Sequence, residues 1–465
     1  MSNQAPPTGR PGLRPARASH RSVSRPSRAL AAVALAAAGM GAGCSLFRPK
    51  VPEAVSLHHQ VADTGTLRAG AAAVDITPTR DLYMGGFSLM RRSEGVHAPL
   101  YARAIVLERD DVKVALVAVD LIGMARGEVL AINEELQGFA PENVIIAATH
   151  THHAPDTIGL WGMPPFKSGV DRAYLAQVKA GILTALAEAD ADLVPAEVAS
   201  GRVAVDPAGL MRNGNRGGHV DPEVGGVHVR TRGMRRASAT VTELGCHPEA
   251  IWSGNKQITA DFPGRTVKRL EEELGGVGIY VSGALGALVA PVDWRQPDQT
   301  VWDECNRIGD RLADHSLEVV RGLGRYRSDP DIQVWHTPVY LKNRNWIYSA
   351  ALFTGLVDRQ MYGSGYLETE VNLWKVGDLT VVSVPGEIAP DRGLRIKAFC
   401  GAPTMLVGLA NDEVGYLVAE WDYDMEYYGY ERTLCVGRDG ATRVMEHIRD
   451  LELLARYRPD AAEVQ

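Results

Sequence analysis

Two unbroken apolar runs on either side of a helix-forming segment constrain this chain's fold more than any other feature. Lys113 to Asp120, "KVALVAVD", and Asn143 to Thr149, "NVIIAAT", lack the polar alternation of a strand that faces water on one side. Runs of this kind read as strands buried on both faces, as in parallel or mixed sheets covered by helices. Between them, "ARGEVLAINEELQGF" supplies helix formers, so the section reads strand, helix, strand. Further on, Tyr174 to Leu193 sets Tyr174, Leu175, Val178, Ile182, Leu183 and Leu186 on one helical face. The expected fold class is α/β, a layered mixed or parallel sheet flanked by helices, which collects its ligands at strand C-terminal ends.

Directly after the second run comes "AATHTHHAPD", which places His150, His152 and His153 within four positions of a chain that has 13 histidines. It reads either as a metal or proton-transfer site or as an imidazole-rich polar turn. Its place at a strand exit favours the first, because open α/β sheets collect their ligands there. Two more strand exits carry ligand types. His247 follows "SATVTEL" and precedes Pro248, and Glu387 follows the Pro385-Gly386 turn of "LTVVSVPGEIAPDRG". Two imidazoles and a carboxylate suit zinc, which keeps a position open for water when three protein ligands hold it. Asp75 and Asp120 read as caps or as groups that orient a ligand histidine, and Asp261 reads as a cap rather than a catalytic group. The glycine-rich "GNRGGH" does not follow a strand in a dinucleotide-binding unit, so a nucleotide reading is rejected.

The N-terminal region has a different character. Arg10, Arg14, Arg17, Arg21, Arg25 and Arg28 precede an apolar stretch, Ala29 to Gly43, that ends at Cys44. The stretch is shorter than the roughly 20 residues a membrane-spanning helix needs. It reads as a secretory signal, and "GAGC" resembles a lipobox in which Cys44 is lipidated. Plain secretion and an uncleaved anchor remain the alternatives. The expected organisation is a lipoprotein signal over 1–44, a tether over 45–67 and one catalytic domain over 68–465. The expected location is exported, periplasmic or cell-surface, with the membrane reached through a lipidated N-terminus. Export permits disulfides, and Cys246, Cys305, Cys400 and Cys435 read either as one or two bridges or as buried thiols. A net charge of −7 without a basic face excludes nucleic acid as a partner.

The segments "GAAAVDITP", "MGGF", "YARAIVLE", "VALVAVDLIGM", "NVIIAATHTHHAPD", "VDPEV", "CHPEAIW", "VPGE" and "GLANDEVGYL" follow one another in this order. Together they resemble the catalytic domain of the neutral/alkaline non-lysosomal ceramidases, from roughly Gly70 to Leu434. The resemblance implies a zinc amidase that cleaves the N-acyl bond of ceramide, or of a ceramide-like lipid, by zinc-activated water. It implies His150, His247 and Glu387 as zinc ligands, with a tyrosine of "WDYDMEYYGYERTL" as the fourth. Tyr428 is favoured there, Tyr430 is the alternative because Glu431 follows it, and Tyr423 comes third. His152 matches a histidine that faces the substrate and Arg212 an essential arginine, both implied to be catalytic. His153, where the family usually has serine, reads as a solvated turn residue.

The chain departs from the family pattern in two places. "GALGALVAPVD" has Ala290 where the family has a proposed serine nucleophile, and Ser282 is expected on a strand, so a serine mechanism is not expected. The immunoglobulin-like C-terminal domain of many ceramidases is not expected here. Two other readings stay open: a zinc hydrolase of a different amide or ester, and a non-catalytic, ligand-binding surface lipoprotein on the same fold.

Overall fold

The computed structural model describes residues 48–457, apart from 54, 165, 216, 217 and 402. Two sheets dominate them. The larger has eight strands in the order β10 (Val277–Ser282), β9 (Ala237–Leu244), β8 (Glu223–Thr231), β6 (Val194–Ala204), β2 (Arg68–Asp75), β3 (Tyr101–Arg109), β4 (Val112–Val119) and β5 (Val144–Ala148). The smaller runs β1 (His58–Ala62), β12 (Ile332–Lys342), β14 (Tyr366–Val376), β15 (Leu379–Ser383) and β17 (Thr404–Val407), with β13 (Met361–Tyr362) paired to β14. Two short ribbons pair β7 (Met211–Asn213) with β11 (Val289–Pro291) and β16 (Glu387–Ile388) with β18 (Tyr416–Leu417). Pairing is parallel for β4 with β5, β9 with β10, β15 with β17 and β16 with β18, and antiparallel elsewhere.

The sheets pack face to face, with helices outside both. Val114, Leu116, Ala118, Ile145 and Ala147 point into the core between the sheets, where they meet Val334, Trp374, Val381 and Val407. Their neighbours Ala115, Val117, Val119, Ile146 and Ala148 point the other way. They lie under α1 (Arg126–Asn133) and α2 (Arg172–Ala191), which contribute Val129, Ile132, Val178 and Ile182. Burial on both faces is the physical reason for the unbroken apolar runs. Asp171 caps α2 by accepting from the Tyr174 amide at 3.0 Å. Another outer layer, α3 (Asp261–Leu274) and α4 (Val301–Gly322), covers the β9–β10 end of the large sheet. Short helix α5 (Trp346–Phe353) packs over Ile122 and Ile158. On the far face of the small sheet lie α6 (Pro390–Cys400) and α8 (Gly440–Tyr457), while α7 (Gly429–Thr433) sits between them in sequence.

The large sheet also coils on itself. Its two edge strands, β10 and β5, approach each other, and the Ser282 hydroxyl at the end of β10 donates to the Thr149 carbonyl just beyond β5 at 2.9 Å. Coiling therefore gathers the exits of β5 and β9, strands near opposite edges, at one end of the molecule.

The segment read as a tether over 45–67 needs a correction. His58–Ala62 pairs with β12 over five residues. Its polar composition hides a strand whose partner lies far along the chain. Cys44 and the apolar stretch before it lie outside the described residues. No helix among the described residues is long and apolar enough to cross a membrane. Cys246, Cys305, Cys400 and Cys435 are all buried free thiols.

Candidate metal centre

His150 lies two residues beyond β5 at φ +67°, a left-handed conformation that costs a residue other than glycine about 1–2 kcal/mol. Surrounding contacts hold it there: His150 Nδ1 lies 2.6 Å from the Ile122 carbonyl. His247, just past β9, is fixed in the same way, with Nδ1 2.7 Å from the Val289 carbonyl. A carbonyl only accepts, so each Nδ1 carries a ring proton and each Nε2 is left to face the cluster, donating to Glu387 when protonated and offering a lone pair when not. His152 places Nδ1 2.8 Å from Glu249 Oε1, which leaves its Nε2 equally available.

These nitrogens converge. Glu387 Oε2 is 3.0 Å from His247 Nε2 and 3.5 Å from His150 Nε2, and His152 Nε2 is 3.4 Å from His150 Nε2. Ligand atoms about 2.1 Å from a tetrahedral centre stand roughly 3.4 Å apart, so the spacings fit a metal ion. His150, His152 and His247 form a group that can bind one, with ligating atoms within 4.8 Å of one another. Burial pushes the Glu387 carboxyl up, but His150 and His247 more than offset it and hold the group well below the usual range. Glu249 is likewise held at about 2 by His152, His247 and His150, against burial. Burial lowers His152 to about 4 despite Glu249.

An apolar slot of about 70 Å³ opens onto the cluster, lined by His150, His152 and Glu387 together with Ile122, Ile158, Leu160, Trp161, Ile347 and Leu434. A larger cleft of about 640 Å³ beside His97 and Trp302 contains none of the converging groups. Leu89, Met90, Met163, Phe166, Trp346 and Phe353 are exposed on the segments that build the slot. Gly86 also lines it, at φ +73°, and a methyl group there would collide with the His152 ring. The loop after Gly86 is tied down by the buried Arg91 guanidinium, which donates to the His152 carbonyl and, at 3.3 Å, to that of Gly85. Gly86→Ala is expected to displace His152 and lower turnover by about tenfold or more with little loss of metal, read from kcat and elemental analysis.

The other sequence candidates separate on geometry. Tyr430 lines the slot, and burial together with Glu387 and Glu249 pushes its phenol up. Tyr428 packs instead with Tyr416, Val418 and Tyr423 and, after burial, is influenced mainly by Asp422 and Asp391. The preference for Tyr428 over Tyr430 is therefore reversed. Tyr428 closes the turn Glu426–Tyr428 with its side chain packed inward, and α7 then carries Tyr430 to the slot.

Arg212 is not brought in. It pairs with Ala290 on the β7–β11 ribbon, and strand alternation exposes it while Met211 is buried. The same segment ties to the residue after Tyr430 through Asn215, whose Nδ2 donates to Glu431 Oε1 at 2.6 Å. His153 is not solvated; it is fully buried, with Nε2 3.1 Å from the Trp252 carbonyl, and burial and Arg91 lower it to about 3. Asp120 accepts from the Tyr101 amide at 2.9 Å and from Thr149 Oγ1 at 3.3 Å, bracing the turn into His150. Asp261 accepts from the amides of Phe262, Ala250 and Ile251 at the start of α3.

Sequence reasoning overlooked Glu249, two residues after His247. That spacing was a usable signal, since a turn can return a side chain to the same pocket. Glu249→Gln keeps the shape and removes the charge that fixes the His152 tautomer. Partners of this kind contribute about 10–100-fold. The loss is expected in kcat, with metal content retained, and an unchanged kcat would remove Glu249 from the account.

Residues 67–284 match the family model described as neutral/alkaline non-lysosomal ceramidase, N-terminal. The neutral ceramidase of Mycobacterium tuberculosis (strain ATCC 25618 / H37Rv) is 27% identical over 241 residues, covering 47% of this chain and 37% of that relative. The chain thus spans well under half of the curated relative it matches. In three dimensions it is similar to the crystal structure of neutral ceramidase from Pseudomonas aeruginosa, with a TM-score of 0.70 at 18% identity over 85% of this chain and 75% of the other. A second solved structure, a ceramidase complexed with C2, gives a TM-score of 0.70 at 17% identity over 85% and 76%. Residues 67–284, which carry His150, His152 and His247, are thus similar to the N-terminal part of the neutral/alkaline non-lysosomal ceramidases.

Proposed function

We propose that the protein is a zinc-dependent amidohydrolase that cleaves the N-acyl bond of ceramide or a ceramide-like lipid by means of water. The carrying observation is the convergence of His150, His247 and Glu387 at the end of an apolar slot, with His152 beside them. The family match over residues 67–284 supports the amide-hydrolase reading. The donor set of imidazole and carboxylate, with the Tyr430 phenol at the slot, suits zinc. When bound, zinc lowers the pKa of water toward about 7 and polarises a carbonyl oxygen.

The protein's own groups do the rest. Ile122, Ile158, Leu160 and Ile347 exclude water and accept hydrocarbon next to the reacting amide. The exposed apolar side chains on the segments that build the slot suit a substrate whose tails stay in a lipid aggregate. His152, with Nδ1 held by Glu249, can take a proton at Nε2 from the attacking water and pass it to the departing amine nitrogen. Ser282 is committed to Thr149 and supplies no nucleophile. A binding lipoprotein would have no evident use for two imidazoles locked by backbone carbonyls around a carboxylate.

The test is release of fatty acid from N-acyl sphingoid lipids, N-acyl amines and esters by purified, zinc-loaded protein. Release from the N-acyl lipids is expected. Release from esters alone would favour the other hydrolase reading, and release from none would favour the binding reading. We further propose that Cys44 is lipidated and tethers the chain to a membrane. Cys44→Ser is expected to move the protein out of the membrane fraction, and unchanged partitioning would refute the tether.

A further inference from the structure

One buried acid in the slot has no part in the chemistry described above. Glu413 follows β17 in a loop clamped from several sides. Ala410 bridges Ala147, and the Asn411 side chain accepts from the Ile146 amide at 2.7 Å while donating to Glu370 Oε1 at 2.6 Å. Arg359 grips Asp412 through both guanidinium nitrogens, at 2.8 and 2.5 Å, with both side chains buried. Asp412 in turn accepts from the Glu413 amide at 2.8 Å. The clamp sets Glu413 in the wall of the slot with His150, His152 and Glu387. Glu413 Oε1 accepts from the Gly415 amide at 2.9 Å. Oε2 is buried and has no hydrogen-bond partner.

A buried carboxyl oxygen left unpaired is costly, and such atoms generally have a partner in the working state of a protein. The slot walls around it are mostly aliphatic and aromatic, and a ligand entering the slot can supply the partner. We propose that Glu413 is a specificity residue whose Oε2 pairs with a hydroxyl carried beside the scissile amide, so that N-acyl amino alcohols are preferred over N-acyl alkylamines. The proposal rests on the hydrolase reading of the same site. A hydroxyl fits because it both donates and accepts, and so pairs with a carboxyl in either protonation state. A cationic amine would lose its hydration against the apolar walls. A substrate without the hydroxyl leaves Oε2 unpaired, and sites built around a substrate hydroxyl reject analogues that lack it.

The experiment compares kcat/KM for an N-dodecanoyl amino alcohol and the N-dodecanoyl alkylamine of equal length, in wild type, Glu413→Gln and Glu413→Leu. Wild type is expected to prefer the amino alcohol by about tenfold or more. Glu413→Leu is expected to bring the ratio to about one, while Glu413→Gln, still able to hydrogen-bond, keeps part of the preference. Binding of the two matching uncleavable sulfonamides, measured by calorimetry, makes the same comparison without turnover. A protein that cleaves neither amide would therefore sink the hydrolase reading and still report on Glu413. No preference in wild type, or a ratio that Glu413→Leu leaves unchanged in folded protein, overturns the proposal, because Oε2 then meets no group of the ligand.

Discussion

His150→Ala and His247→Ala are each expected to abolish metal binding and to lower hydrolysis by about 10³-fold or more, the scale set by losing several kcal/mol of charge stabilisation. Each removes one of the two imidazoles that a backbone carbonyl orients toward Glu387. The metal-free folds should differ from each other. His247 Nε2 is the nearer partner of Glu387, at 3.0 Å against 3.5 Å for His150. Breaking a buried pair by removing one member typically costs about 3–5 kcal/mol. His247→Ala should therefore lose more stability to denaturant than His150→Ala when both are measured without metal. Wild-type zinc content in either variant would remove that histidine from the ligand set.

The second large effect is expected at His152. His152→Ala should lower kcat by about 10²–10⁴-fold, the usual contribution of a positioned acid–base group, while the protein keeps its metal. The reason is that His152 is oriented by the Glu249 carboxylate, whereas His150 and His247 are each oriented by a backbone carbonyl and lie against Glu387. Elemental analysis alongside kinetics separates the roles. Metal lost in parallel with activity would make His152 a ligand rather than a proton carrier.

Much of the layer that carries the histidines was legible in the sequence. The runs that became β4 and β5 are apolar on every side because one face meets the second sheet and the other meets α1 and α2. The position of His150 just past β5 follows from where that run stops. The second sheet was not legible as a unit, since β1, β12 and β14 pair across long stretches of chain that leave no local pattern. Coiling of the large sheet, which gathers the exits of β5 and β9, is likewise a property of the assembled strands.

The candidate side chains divide along the same line. His150, His247 and Glu387 stand at the ends of recognisable strands, and the fold brings them together. Arg212 sits on a three-residue ribbon strand too short to show which side faces out. The order of Tyr428 and Tyr430 turns on a single helical turn. His153 looks like a surface residue in "THTHHAPD" because nothing local announces the burial supplied by Trp252 and Asp261. Glu249 and Glu413 were missed because each matters through what the fold sets opposite it.

The most direct measurement follows hydrolysis of an N-acyl sphingoid lipid by wild-type protein stripped with a chelator and titrated with zinc, with bound metal quantified at each point. The account predicts no turnover in the stripped protein and recovery in proportion to bound zinc up to about one ion per chain, as expected for a single tetrahedral centre. Full turnover by metal-free protein would contradict it.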